Sequence, residues 1–199
     1  MYLSKMRTDK IVHFVCFETT LDSEQFIKRW EEYIRSVNSD LDVILQQSEK
    51  NGIFRYVAQH RCNAGELLFV FEKGARSSRI PRVEIKTKHA GGYSILQAER
   101  MNGAHADESK VFAFLLFAQV DVNVYRQLSA HYKLNIYEAY YENCQYAYIL
   151  EFFVKNKYVA ELLEQLKQHK SAEIGIYREC AQQKHKDLTH AQGKAMGMG

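Results

Sequence analysis

Proline and paired cysteines are scarce in this chain of 199 residues. It contains one proline, Pro81, and four cysteines, Cys16, Cys62, Cys144 and Cys180. No two cysteines form a CxxC pair, and none has the compact spacing to histidine that zinc sites show. The sequence therefore predicts no disulfide framework and no metal site. Cys16 lies within an apolar strand pattern, which predicts a buried free thiol.

Long apolar runs and a strong charge of one sign are also missing. The apolar run 111–118 is far shorter than the roughly 20 residues that a membrane helix needs, and the first ten residues lack a secretory signal core. The formal net charge is +3. The basic residues of 73–88 predict a solvated loop, with an anion-binding rim or a lid over a pocket mouth as the alternative. They have no interleaved aromatics, so they do not favour a nucleic-acid site. We therefore expect a cytoplasmic protein with reduced thiols, no membrane partner and no nucleic-acid partner.

Strand and helix patterns are present, and they are strongest in the second half of the chain. They follow the order strand, helix, strand, strand, helix, strand, which is the split βαβ arrangement of a ferredoxin-like unit. Asp121 and Asn156 are predicted to cap the two helices. The segments, in order, are 111–120, 124–132, 134–143, 146–154, 156–169 and 173–179.

The first half carries a weaker copy of the same order. A strand at 11–18 precedes a helix that Thr20 or Asp22 is predicted to cap, with Asp22 and Gln25 in a capping-box arrangement. Asn51-Gly52 predicts a hairpin between strands 41–48 and 53–61. Residues 64–73 fit a strand by composition and a short helix by position, and the helix is narrowly favoured. Strands 83–89 and 93–99 are predicted on either side of Gly91-Gly92, with the second as the closing strand.

These patterns divide the chain into two units. We predict a first ferredoxin-like unit at 10–100 with a basic insertion at 74–92, a linker at 101–110, a second unit at 111–180 and a disordered polar tail at 181–199. The central strands 11–18 and 111–120 are apolar on both faces, so each sheet needs cover on both sides. The predicted fold is therefore α+β, with two tandem ferredoxin-like (βαββαβ) units packed sheet to sheet as a pseudo-dimeric α/β barrel.

The tandem order, with the closing strand Ala-Gly-Gly-Tyr-Ser-Ile-Leu-Gln at 90–97, resembles the dimeric α/β-barrel superfamily. That superfamily includes antibiotic-biosynthesis monooxygenase-like proteins and haem-degrading monooxygenases. The resemblance is one of topology and covers about residues 10–180. It implies an apolar pocket between the sheet and helices of a unit, sometimes with cofactor-free oxidation. The Asn, Trp and His of the haem degraders do not map onto Trp30 and His13, so no family residue is carried over and no cofactor is predicted.

Four residues are candidates for a binding or catalytic role. His13 lies mid-strand among apolar residues and is the candidate catalytic base, because imidazole titrates near neutrality. Arg55, Tyr56 and His60 are the candidate substrate-binding residues, with Arg55 able to grip an anionic group through its planar fork. The alternative for His13 is a satisfied core histidine. The alternatives for Arg55 are a solvent-facing side chain and a cross-hairpin pair with Glu49.

A cluster of tyrosines on two adjoining predicted strands suits an aromatic ligand, and packing explains it equally well. The group comprises Tyr137, Tyr140, Tyr141, Tyr146 and Tyr148. The sequence contains no nucleophile-elbow, phosphate-loop or dinucleotide motif. We therefore predict a protein that binds a small apolar or aromatic molecule, with cofactor-independent monooxygenase-like chemistry as its possible activity. The alternative is a non-catalytic binding or protein-interaction module, and a homo-oligomer is compatible with either.

Overall fold

The structure is a computed structural model that describes residues 9–37, 42–50, 52–64, 84–98, 111–118, 126–127, 131–142, 144–168 and 172–183. Within these residues the chain forms eight strands and two α-helices. The strands are β1 (Lys10–Thr19), β2 (Asp42–Lys50), β3 (Tyr56–Asn63), β4 (Ile85–Gln97), β5 (Val111–Ala118), β6 (Lys133–Ala139), β7 (Tyr148–Lys155) and β8 (Ala172–Gln183). The helices are α1 (Ser23–Val37) and α2 (Val159–Lys167), and a 3-10 turn at Asn156–Tyr158 precedes α2.

The eight strands close into one antiparallel barrel in the order β1-β3-β2-β8-β5-β7-β6-β4. The first half of the chain supplies four neighbouring strands, β4-β1-β3-β2, and the second half supplies β8-β5-β7-β6 in the same relative order. Hydrogen-bonded pairing of β2 with β8 and of β4 with β6 joins the two halves. Closure pairs both edges of each half, which removes the exposed strand edges that favour aggregation. The predicted α+β barrel is confirmed at this level.

Three apolar layers explain why the central strands are hydrophobic on both faces. Side chains that alternate along the strands of both halves meet in the barrel interior, among them Val12, Phe14 and Leu115. The opposite face of β2 and β3 packs under α1, and the opposite face of β6 and β7 packs under α2. Strands β2, β3, β6 and β7 therefore contact the interior with one face and an outer layer with the other.

The helices follow their apolar stripes. Asp22 Oδ1 accepts a hydrogen bond from the Gln25 backbone N at 2.8 Å, so the predicted cap of α1 is confirmed. Trp30 is buried on the inner side of α1. The predicted cap at Asn156 is wrong, because this residue opens the 3-10 turn and neither the turn nor α2 has a side-chain cap.

Four strands differ from their predicted bounds by three residues or more: β3 begins at Tyr56 where 53 was predicted, β6 ends at Ala139 where 143 was predicted, and β4 and β8 differ as follows. Gly91 and Gly92 lie inside the continuous strand β4 and do not separate two strands. A side chain at Gly91 would meet Tyr93 Cε2 at 3.0 Å and Cys144 Sγ at 3.2 Å, so glycine there serves close packing and not a turn. Strand β8 continues to Gln183 because β2 pairs with it as far as Val43, so it extends into the segment that was predicted to be a polar tail.

Several predictions lie outside the described residues. These are the assignment of 65–73, the helix capped by Asp121 over most of its length, the linker 101–110 and the tail beyond 183. The description of each half as a complete ferredoxin-like unit depends on helices in two of these segments. It therefore stays a prediction, as do the domain boundaries.

Candidate functional site

Two of the predicted site residues, His13 and His60, come together on the outer face of the barrel. They are directly opposite one another on the antiparallel strands β1 and β3. Their ring centroids lie 5.6 Å apart with the planes at 68°. The side chains are 2% and 6% exposed. On its other side His60 is opposite Val43, and His13 is opposite Gly92, which places no side chain beside the ring.

Burial keeps both imidazoles uncharged. Burial, together with charge repulsion from His60 and His89, lowers the pKa of His13 to about 3. Burial alone lowers the pKa of His60 to about 4. Among the described residues, neither ring nitrogen of His60 has a hydrogen-bond partner. A buried polar group without a partner costs about 1–3 kcal/mol, so such a group calls for a partner from beyond the described residues.

The other two predicted residues lie at the start of β3, of which Tyr56 is the first residue and which Arg55 directly precedes. Arg55 Nη1 donates to the Thr19 carbonyl at 2.7 Å, and the Arg55 backbone N donates to Glu18 Oε1 at 3.0 Å. Tyr56 is buried under α1, where its ring stacks on Phe26 with centroids 4.0 Å apart. Neither side chain reaches the histidine pair. Their role in ligand binding stays a prediction that no contact in the structure favours.

The alternative pairing of Arg55 with Glu49 is wrong. Arg178 Nη2 lies 2.6 Å from Glu49 Oε1 and forms that ion pair instead. The reason is topological. Glu49 is on β2, which pairs with β3 along one edge and with β8 along the other, and β8 carries Arg178. Sequence proximity across the hairpin did not predict this neighbour.

Sequence reasoning missed a polar cluster inside the barrel, centred on the buried carboxylate of Glu151. Glu151 Oε1 accepts hydrogen bonds from Gln59 Nε2 at 2.7 Å and Gln46 Nε2 at 3.2 Å. Glu151 Oε2 accepts from Tyr137 OH at 2.9 Å and Asn135 Nδ2 at 3.1 Å. Burial, followed by the adjacent Glu151 charge, raises the pKa of Tyr137 well above its usual value. One signal was available, since Glu151 is a lone acid in the apolar run 146–154.

The tyrosine group does not form one wall. Tyr137 and Tyr146 point into the barrel interior, whereas Tyr148 OH donates to Glu138 at 3.0 Å and Tyr140 OH donates to Asp9 at 3.0 Å. Tyr141 is exposed. Packing therefore explains this group better than a shared aromatic pocket does.

Away from the Glu151 cluster, aromatic rings surround His89 in the barrel interior. His89 Nε2 lies 2.9 Å from Tyr93 OH, which donates to the Tyr146 carbonyl at 3.1 Å. The His89 and Tyr146 rings are 5.1 Å apart. Phe14 lies between the rings of Tyr93 and Tyr137, at 5.5 and 5.0 Å. These side chains fill this part of the barrel interior.

The described part of the chain offers no group of three or more His, Cys, Asp or Glu side chains placed to hold a metal ion. None of its helices is both long and apolar enough to cross a membrane.

The chain shares its fold with chlorite dismutase. A variant of that enzyme from Candidatus Nitrospira defluvii aligns with a TM-score of 0.54 and 11% identity, over 89% of this chain and 95% of the other. The same enzyme in complex with imidazole aligns with a TM-score of 0.53 and 11% identity, over 89% of this chain and 95% of the other. An anthrone oxidase-like protein aligns with a TM-score of 0.52 and 12% identity, over 87% of this chain and 93% of the other. No protein-family model matches the sequence, and no curated protein is significantly similar to it.

The likeness to these structures supports, as a fold, the resemblance that was inferred from strand order. At 11–12% identity the likeness extends to the fold alone. The specific resemblance to antibiotic-biosynthesis monooxygenases stays a prediction. In this barrel fold His13 and His60 lie on the outer face of the strands from the first half of the chain, which is the face that α1 also covers.

Proposed function

We propose that the protein binds a small, largely apolar or aromatic molecule at the outer face of β1 and β3, with His13 and His60 as its polar anchors. The observation that carries this proposal is the buried His60 ring, whose nitrogens have no partner among the described residues. A histidine needed only for packing would be replaced at little cost by an apolar residue. A ligand that supplies the missing hydrogen bonds accounts for keeping it.

The chemistry of the ligand follows from the charge state of the two rings. With pKa values of about 3 and 4, both imidazoles are neutral near pH 7. A neutral imidazole has one nitrogen that accepts a hydrogen bond and one that donates. Such a pair suits an uncharged hydroxyl or carbonyl on an aromatic ring, as in a phenol or an enol. It suits a carboxylate less well, since no imidazolium charge is present to balance it.

We propose further that the protein oxidises such a ligand. The fold likeness to an anthrone oxidase-like protein motivates the choice of polycyclic phenols and anthrones as test compounds. His13 would act as the base that removes a phenolic or enolic proton. Its depressed pKa makes it a weak base in the unliganded protein, so binding is the part that the geometry favours most.

A non-catalytic binding or interaction module is the second candidate. It is favoured by the aromatic rings and the Glu151 cluster, which fill the part of the barrel interior that the described side chains define. Homo-oligomerisation and a cytoplasmic location remain predictions under either candidate.

The binding proposal is tested by calorimetry with 2-naphthol and with 2-methoxynaphthalene, which has the same ring but no hydroxyl donor. We expect 2-naphthol to bind about tenfold more tightly, the value of one buried hydrogen bond. His60→Leu and His13→Leu should remove that preference. His131→Leu, at an exposed histidine, is the matched control and should retain it. Equal affinity for both compounds, or an unchanged preference in His60→Leu, would reject the site.

The catalytic form is tested separately with an oxygen electrode and anthrone as substrate. Oxygen uptake that depends on the protein and is lost in His13→Leu supports a base at His13. Tight binding of anthrone without oxygen uptake supports the non-catalytic candidate.

A further inference from the structure

A groove of about 410 Å³ lies on the outer surface at the seam where β2 pairs with β8. Its lining includes Gln47, Ser48, Glu49, Arg178 and Cys180. The groove has a structural cause, because the pairing of the two strands shifts register twice along this seam. Register shifts bend strands and re-aim their side chains, and they are frequent near binding sites. The volume lies within the range of about 300–1,000 Å³ that small-molecule sites occupy.

The polar character of this groove sets it apart from the outer faces on either side. The outer face of the first half packs under α1, and that of the second half packs under α2. Gln47 Nε2 donates to Ser23 Oγ at 2.8 Å, which places the groove beside the first residue of α1. The Cys180 thiol donates to the Leu45 carbonyl at 3.4 Å. Burial raises the pKa of Cys180 to about 12, so the thiol stays uncharged.

Among its described lining residues, the groove has a positive and a negative side chain in direct contact. Arg178 Nη2 lies 2.6 Å from Glu49 Oε1, and the two side chains remain 53% and 31% exposed. An ion pair that water reaches contributes little to stability, so a ligand can open it at small cost. A simple anion would be attracted by Arg178 and repelled by Glu49, and a simple cation would meet the reverse.

We propose that this groove binds a zwitterion of the α-amino-acid type. The ligand carboxylate would take the Arg178 guanidinium and its ammonium would take Glu49, so that one ion pair is replaced by two. Arg178 Nη2 and Glu49 Oε1 lie only 2.6 Å apart, so a ligand that reaches both must carry its two charged groups on the same carbon atom. A zwitterion with widely separated charges would satisfy only one side chain at a time. The groove shares no residue with the His13–His60 site, so either proposal can fail without the other.

The test is an NMR titration of the full chain with L-leucine, following the Arg178 Nε–H and the Gln47 side-chain amide. We expect saturable shifts at both groups. Three matched probes should bind about tenfold more weakly, the loss expected for one charged contact. They are N-acetyl-L-leucine without the cation, L-leucine methyl ester without the anion, and 6-aminohexanoate with distant charges.

Variants separate the groove from a general effect of charge. Arg178→Gln and Glu49→Gln should each weaken L-leucine binding about tenfold, and thermal melts check that both variants fold. Arg35→Gln is the matched control, since Arg35 forms a comparable pair with Glu31 at 3.0 Å on α1, and it should leave binding unchanged. The proposal is overturned by absence of a saturable shift, which would identify a solvated ion pair only. It is equally overturned by N-acetyl-L-leucine binding as well as L-leucine, or by unchanged binding in Arg178→Gln.

Discussion

Replacement of His60 by leucine should make the protein more stable near neutral pH and less sensitive to acid. The His60 ring is 6% exposed, and its nitrogens have no partner among the described residues. Removing an unpartnered buried polar group recovers about 1–3 kcal/mol, and imperfect fit of leucine costs up to about 1.5 kcal/mol. We expect a net gain of about 1 kcal/mol in the free energy of unfolding, or about 2–4 °C in Tm for a chain of this length.

The acid sensitivity follows from the pKa of His60, which burial lowers from 6.5 to about 4. Between these values the unfolded chain binds a proton that the folded chain does not, so stability falls as pH falls below 6.5. From about pH 7.5 to about pH 5.5 this linkage removes about 1.3 kcal/mol for His60. His13, whose pKa is lowered to about 3, adds a similar loss over that range. Burial also lowers the pKa of His89, which acts in the same direction.

Urea unfolding of wild type and His60→Leu at both pH values measures the two effects together. The variant should lose about 1.3 kcal/mol less than wild type on acidification. His131→Leu removes an exposed histidine and should leave both the neutral stability and the pH slope as in wild type. A His60→Leu protein that is destabilised near neutrality and keeps the wild-type slope would show that the imidazole is satisfied and that the reasoning about its burial is wrong.

Three further predictions concern the barrel interior. Glu151→Ala leaves four donors without their acceptor and should lower the free energy of unfolding by about 3–5 kcal/mol in urea melts; a loss under about 1 kcal/mol would mean that the cluster adds little to stability. Gly175→Ala should be more destabilising than Gly91→Ala in thermal melts, because its Cβ would lie 2.5 Å from Tyr177 Cε2, and the reverse order would contradict this packing. Cys16 is fully buried and its pKa is raised by burial, so iodoacetamide should label it only after unfolding; mass spectrometry that finds it alkylated in the native protein would refute this.

The histidine site was half predictable from sequence. His13 and His60 each interrupt an apolar strand pattern, and that local signal was enough to select them. Arg55 and Tyr56 were selected on residue type, and their contacts with Thr19 and α1 depend on neighbours that residue type does not reveal. The register that places His13 opposite His60 is set by the pairing of β1 with β3, which the strand pattern alone does not define.

The Glu151 cluster shows why some features could not be predicted. Its donors Gln46 and Gln59 lie 105 and 92 residues away along the chain. A lone acid in an apolar strand indicates an unusual environment, but it does not identify the partners. These hydrogen bonds link the two halves across the interior, and they exist only because the barrel closes.

The sequence by itself determined where most strands and both described helices lie and that the central strands are apolar on two faces. Those properties depend on residue periodicity, which is local and is read directly from neighbouring positions. The tertiary structure alone decided that β2 joins β8, that β4 joins β6, and which polar side chains meet. The physical reason is that strand edges and buried polar groups are satisfied by whichever distant partner closure brings within hydrogen-bonding distance.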